Sequence, residues 1–241
     1  MRALVVALRA AGDQAWRVLL PIEVTGADGA TWTRDVDVRL PAGQAAAVSL
    51  PLPAGARPAR VRVDPDLDVV RRLSPAELPV SLRRVMGAAR KRVVLPDPSA
   101  PLAPAYRALA PDLAARLGAT LVEADQATLD DGAVVLGATG RLARALAARL
   151  AAQGMRADAT GPLAVPGAEV PGAGACLVAC AQVEGDGVAA LIVARSPAAL
   201  QAALKLVHYG REGRVLFDAG RAVGRGRADP AGDGPLSRAV D

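Results

Sequence analysis

Residues 61–86 read VRVDPDLDVVRRLSPAELPVSLRRVM, and this stretch divides the chain. Before it the sequence is patterned like strands; after it, like alternating strands and helices. Asp64-Pro65-Asp66 reads as a turn, because Pro65 fixes φ and the two carboxylates can accept from nearby backbone N–H groups. Leu67, Val69 and Val70 offer a short apolar run. Ser74-Pro75-Ala76-Glu77 has the form of a capping box with proline at the first helical position. In such a box the Glu77 N–H donates to the Ser74 hydroxyl, and the Glu77 carboxylate accepts from the Ser74 N–H. Pro79 limits that helix to about one turn, and Leu82 to Met86 starts another. The stretch therefore reads as a connector over residues 64–90. It joins a small β module at 1–63 to an α/β module at 91–241.

The first module reads as an antiparallel β-sandwich of immunoglobulin-like size. Leu4, Val6 and Leu8 alternate with Val5 and Ala7, and residues 16–24 form a longer strand. Thr25-Gly26-Ala27-Asp28-Gly29 is a hairpin loop. Trp32, Arg34, Val36 and Val38 alternate with Thr33, Asp35, Asp37 and Arg39, as a half-solvated strand requires. Residues 46–50 and 60–63 complete five short strands.

After residue 88 the period changes. Residues 92–95 form a buried-type strand. Residues 98–117 are helical, with Leu102, Tyr106, Leu109, Leu113 and Leu117 three or four apart and Gly118 as the stop. Strands at 120–123 and 133–136 precede a second helix at 141–152. Residues 161–174, rich in glycine and proline, read mostly as loop. Residues 176–183 and 188–194 form a hairpin around Glu184-Gly185-Asp186-Gly187. Ser196-Pro197 caps a helix running to about Val207, and residues 214–217 are a strand. Residues 220–241 read as turn and tail, with Ala222-Val223-Gly224 an edge strand. The alternation predicts a three-layer α/β domain on a mixed, mostly parallel sheet.

Composition narrows the functional classes. Hydrophobic residues make up 52% of the 241, enough for a substantial core. Aromatics are only 2%, so stacking platforms for bases are scarce. The net charge of +5 attracts anions weakly. The densest basic cluster is only Arg90-Lys91-Arg92, which reads as solvated surface, not a nucleic-acid footprint. The N-terminal apolar run is broken by Arg9, which argues against a signal peptide. No apolar run approaches a membrane span. Cys176 and Cys180, four apart on a strand, would lie about 13 Å apart on one face, too far to bridge. They read as buried free thiols.

Two segments resemble a known family. Val63-Asp64-Pro65-Asp66, Asp68-Val69, Arg71-Arg72-Leu73 and Glu77 with Pro79 are similar to the end of the β-sandwich in large bacterial zinc aminopeptidases of the aminopeptidase N type. Lys205-Leu206-Val207-His208-Tyr209-Gly210 before a strand, preceded by the Ser196-Pro197-Ala198-Ala199-Leu200 helix start, resembles an α/β module that follows in some of them. The resemblance implies a non-catalytic appendage that packs against, or gates, a peptidase catalytic domain. The family's zinc site takes HExxH and a further glutamate. This chain has one histidine, His208, so no two histidine ligands can come from it. No enzymatic activity, metal site or cofactor is expected.

The main alternative is a nucleotide-binding, Rossmann-like module. Residues 134–143 read VVLGATGRLA: a strand, then Gly137, Gly140 and Ala143 in the spacing of a dinucleotide fingerprint, then a helix. Glycines there would let backbone approach a pyrophosphate at the helix N-terminus. Against it, the fingerprint follows the third strand of the module instead of the first. Residues 155–163 make a poor second strand, although Asp158 stands about where a ribose-binding acid would. No Tyr-x-x-x-Lys follows, Tyr106 and Tyr209 being the only tyrosines. His208 beside Tyr209 offers an acid–base pair but reads as a helix C-terminal cap. Asp64, Asp66 and Asp68, and also Asp130-Asp131, could hold a divalent ion. The triplet lacks the glycine and bidentate glutamate of a calcium loop, and both groups read as turn chemistry.

Overall fold

The computed structural model describes residues 3–9, 13–66, 69, 78–184, 187–227 and 237–240. The Ser74–Glu77 capping box and Asp68 lie outside the described residues. The chain forms two compact units, one of residues 1–77 with 232–241 and the other of residues 78–231.

In the first unit the alternating segments become strands β1 (Ala3–Arg9), β2 (Trp16–Gly26), β3 (Thr31–Leu40), β4 (Ala45–Pro51) and β5 (Pro58–Val63). All pair antiparallel: β2 with β3 and β5 in one sheet, β1 with β4 in another. Alternate residues Leu20, Ile22 and Val24 of β2, Val38 of β3, Val48 and Leu50 of β4, and Val61 and Val63 of β5 are buried in one shared core. The outward positions of β3 carry Thr33, Asp35, Asp37 and Arg39, which explains the clean alternation. A sixth strand, Ser237–Ala239, extends the larger sheet to four by pairing with β5, Ala239 opposite Arg60. This corrects the expectation that residues 91–241 form one module ending in a tail. Ser-Arg-Ala has no apolar period of its own; the edge of β5 makes it a strand, and Val240 after it packs, half-buried, against the core.

The second unit begins earlier than the connector reading placed it. Val80 is fully buried, and helix α1 (Leu82–Gly87) buries Leu82 and Val85 in the α/β core. Its first N–H groups, which no helical carbonyl can satisfy, donate to the loop after the last helix: Leu82 N to Glu212 O at 2.9 Å and Arg83 N to Gly210 O at 2.7 Å. Residues 78–90 are thus structural parts of this unit.

The scaffold is one seven-stranded sheet. Before numbering its strands, a small hairpin needs naming: β9 (Leu163–Val165) and β10 (Ala168–Val170) occupy the stretch expected to be loop. Its turn uses Gly167 at φ 84°, and Leu163, Val165 and Val170 pack on the sheet. The sheet strands are β6 (Arg92–Val94), β7 (Thr120–Val122), β8 (Ala133–Leu136), β11 (Ala175–Gln182), β12 (Val188–Ala194), β13 (Arg214–Asp218) and β14 (Arg221–Gly226). Their spatial order is β14-β13-β11-β12-β8-β6-β7. The pairings along β7-β6-β8-β12 are parallel; those along β12-β11-β13-β14 are antiparallel. The sheet is therefore mixed, with parallel and antiparallel pairings in equal number.

Side chains alternate between the two faces. Val93, Val134, Leu136, Cys176, Val178, Ile192 and Phe217 meet α1, helix α2 (Ala103–Leu117), the short α4 (Pro197–Leu200) and the 3-10 helix Gln201–Tyr209 that continues it. Val94, Val135, Leu177, Leu191 and Leu216 meet helix α3 (Arg141–Ala151) and the β9–β10 hairpin. Three layers result. Helix α2 starts at Ala103, after Leu102 at φ 61°, later than the period suggested. The Asp97 carboxylate accepts from the Ser99 N–H at 2.9 Å and hydroxyl at 2.6 Å, holding a turn there instead. Gly118, at φ 59°, closes the helix as expected. Among the described residues no helix is long and apolar enough to cross a membrane.

Candidate functional site

The parallel half of the sheet has a switch point. From β6 the chain crosses by α2 to β7 on one side, while β8 lies on the other side of β6 and leads into α3 on the opposite face. In open α/β sheets, ligands settle outside the carboxyl ends of the two strands where the order reverses. Here those ends are the loops after β6 (residues 95–102) and after β8 (residues 137–140). The loop after β12 (residues 195–196) flanks them.

The suspected fingerprint falls on this edge. Gly137 has φ 86° and Gly140 φ 88°, both in the region that favours glycine. The two are used differently. The Gly137 N–H donates to Ile192 O at 2.9 Å, extending the β8–β12 ladder, so it cannot face a phosphate. A Cβ there would stand 3.5 Å from Pro96 and 3.8 Å from the Tyr106 ring. A Cβ at Gly140 would meet nothing within 4 Å. Its carbonyl accepts the first helical bond of α3, from Arg144 N at 3.1 Å, and no side chain caps that N-terminus. Ala143 is buried against the sheet, the role of the third small residue in a fingerprint. Thr139 Oγ1 is buried and has no hydrogen-bond partner among the described residues. Arg141 leans away, its guanidinium 3.5 Å from Ala127 O.

The other charges at this edge are engaged within the protein. Arg107, on α2, makes a bidentate pair with Glu123 just after β7, at 2.9 and 2.7 Å, and also donates to Pro96 O at 3.2 Å. Hydrogen bonding to Arg107 holds the Glu123 carboxyl below its ordinary range. Arg195 donates to the carbonyls of Asp158, Ala159 and Thr160, at 3.1, 3.0 and 3.3 Å. Burial lowers its pKa. Asp158, the expected ribose acid, is exposed and stands beside Arg195. It belongs to a connection after α3, since residues 155–158 join no strand of the main sheet. Neither pair showed in the sequence, because 16 residues separate Arg107 from Glu123 and no local spacing marks a pair at that distance.

Other candidates resolve into structure. Tyr106 is buried, and its hydroxyl accepts from Ala194 N at 2.7 Å, locking α2 to the end of β12. Burial pushes its pKa well up. Tyr209 packs edge-on against Phe217, ring centroids 5.5 Å apart. His208 is exposed in the last turn of the 3-10 helix, and among the described residues no hydrogen bond ties its ring to a carbonyl. Asp130 pairs with Arg92 and accepts from the Thr128 hydroxyl at 3.0 Å. Asp131 accepts from Val188 N at 2.9 Å. Asp64 is buried at φ 54° and accepts from Val69 N at 3.2 Å. Among the described residues no group of three His, Cys, Asp or Glu side chains could hold a metal ion. Cys176 and Cys180 are free and fully buried on one face of β11. Burial pushes the Cys176 thiol up to about 12 and Cys180 upward as well, which disfavours the thiolate in the fold.

Comparison with family models, curated proteins and solved structures finds no match to this chain.

Proposed function

We propose that the chain is a non-catalytic accessory region of an aminopeptidase N-type metallopeptidase, docking on a catalytic domain that the chain itself does not contain. The observation that supports this is the order of its parts. A small antiparallel β unit containing the Val63-Asp64-Pro65-Asp66 turn leads into a three-layer α/β unit. Residues Lys205 to Tyr209 of the second motif end the 3-10 helix, Gly210 follows it, and β13 comes next, an order that supports the resemblance. The single histidine of the sequence is consistent with an appendage, since the family's zinc needs two. The test uses the catalytic region of an aminopeptidase N-type enzyme lacking its own C-terminal part. Binding with a Kd of about 10 μM or tighter, with a changed kcat/KM on aminoacyl substrates, is the expected result. Failure to associate at about 100 μM refutes the reading. The chain alone should release no fluorophore from aminoacyl substrates with or without zinc.

A nucleotide-binding role is the second reading. The open N-terminus of α3 at Gly140, with the buried Thr139 hydroxyl beside it, favours it; the committed Gly137 N–H opposes it. Calorimetric titration with NADH and ATP decides. A Kd near 10 μM that Gly140→Val abolishes would establish the nucleotide role.

A further inference from the structure

Strand β1 is paired on one side only. Its partner is β4, in register from Ala3 opposite Pro51 to Arg9 opposite Ala45, and among the described residues no strand joins its other edge. Natural sheets blunt such edges with charge, proline, bulges or cover. Two other long edges are blunted, and the outer edge of β4, uncharged like β1 before Arg9, ends in Pro51. Strand β3 carries Arg34, Asp35, Asp37 and Arg39. Strand β14 carries Arg221 and Arg225 and a register shift opposite Leu216 and Phe217. Strand β1 reads ALVVALR and has no such device before Arg9. Val5 is 65% exposed on its outer face. Leu4 and Val6 are only half-buried on its inner face, at the margin of the core. The sheet of β1 and β4 is also half as wide as the four-stranded sheet whose core it shares.

We propose that β1 is the seam of a homodimer, in which two copies pair antiparallel, edge to edge, about Val6. The two narrow sheets then become one sheet of four strands in the order β4-β1-β1-β4. The pattern of β1 selects a second copy of the chain. Antiparallel pairing about Val6 sets Leu4 against Leu8 of the second copy, Val5 against Ala7, and Val6 against itself. Each apolar side chain then meets an apolar one on its own face. Arg9 falls opposite Ala3, so the two arginines stand at opposite ends of the seam; parallel pairing would bring them to the same end. For a chain of net charge +5, an uncharged seam is where two copies approach with least repulsion. The contact is isologous, as closed dimers require. It stands independently of the accessory role.

Sedimentation equilibrium of the full chain between about 1 and 100 μM tests it. Wild type should show a monomer–dimer equilibrium, and the amides of β1 should exchange more slowly as concentration rises. The double variant Val5→Asp/Ala7→Asp places carboxylates opposite one another across the seam. Val5→Lys/Ala7→Lys places ammonium groups there. Each alone should weaken the dimer about tenfold or more, and an equimolar mixture should form a heterodimer, because position 5 faces position 7. Both positions are exposed and sit beside Ser49 and Ala47 within the subunit, so the monomer should keep its fold. A wild type that is monomeric at about 100 μM with unchanged β1 exchange, or double variants that dimerise as tightly as wild type, overturns the proposal. So does failure of the mixture to form the heterodimer.

Discussion

Replacing Tyr106 with phenylalanine should loosen the α/β unit and leave the β unit unchanged. The Tyr106 hydroxyl is the acceptor for Ala194 N at 2.7 Å, in a fully packed interior. Phenylalanine keeps the ring and its packing in the core, but leaves that N–H buried without an acceptor. Such an orphaned donor costs about 1–3 kcal/mol. At about 1.4 kcal/mol per decade, this raises the population of the open unit roughly 5- to 150-fold. For a unit of residues 78–231, the melting temperature should fall by about 2–12 °C. The chain provides a local probe, because its only two cysteines, Cys176 and Cys180, are both buried in β11. Thiol labelling in native buffer therefore follows opening of this unit alone, and tracks its equilibrium population when reclosing is fast. Tyr209→Phe is the control, since no hydrogen bond to the Tyr209 hydroxyl is seen among the described residues. Labelling of Tyr106→Phe within twofold of wild type, or no faster than Tyr209→Phe, would refute the lock between α2 and β12.

The α/β unit should also lose stability in alkali. A thiol whose pKa rises from 9.0 to about 12 on folding, as for Cys176, leaves the protein fully stable below pH 9; stability then falls as pH rises through that window. Cys180 and Tyr106 act in the same direction, so the urea midpoint for thiol exposure should drop steadily above pH 9 and stay level from 7 to 8.5. Gly132→Ala should be far worse than Gly161→Ala, though both have positive φ. A Cβ at 132 would lie 2.5 Å from Arg90 O and 2.7 Å from Ala88 Cβ, while one at 161 meets nothing. Urea unfolding should show an excess cost of about 1–3 kcal/mol at 132. In the β unit, Asp64→Ala removes the acceptor for Val69 N and puts alanine at φ 54°, whereas Asp64→Asn keeps an acceptor and tolerates that backbone. Denaturation followed by Trp16 and Trp32, the only tryptophans and both in this unit, should place alanine about 1–3 kcal/mol below asparagine.

The sequence by itself determined the elements. The alternation in β3, the continuous apolar runs of β11 and β12, and the three-to-four spacing in α2 each follow from local periods that a chain cannot hide. The stops at Gly118 and the cap at Ser196, which accepts from Ala199 N at 3.1 Å, were legible for the same reason. Tertiary structure alone decided where marginal segments belong and what each polar group does. Ser237–Ala239 is a strand only because β5 offers an edge, and α1 is core because the loop at Gly210 and Glu212 receives its free N–H groups. The fingerprint turn was read correctly as strand, glycine turn and helix, yet the partner of the Gly137 N–H is Ile192, 55 residues on. Its availability to a ligand rests on a strand order that no local pattern encodes. The aspartates at 64, 130 and 131 and the hydroxyl of Tyr106 became anchors in the same way. A buried polar group must find a partner, and which partner comes within 3 Å is set by packing of segments far apart in the chain.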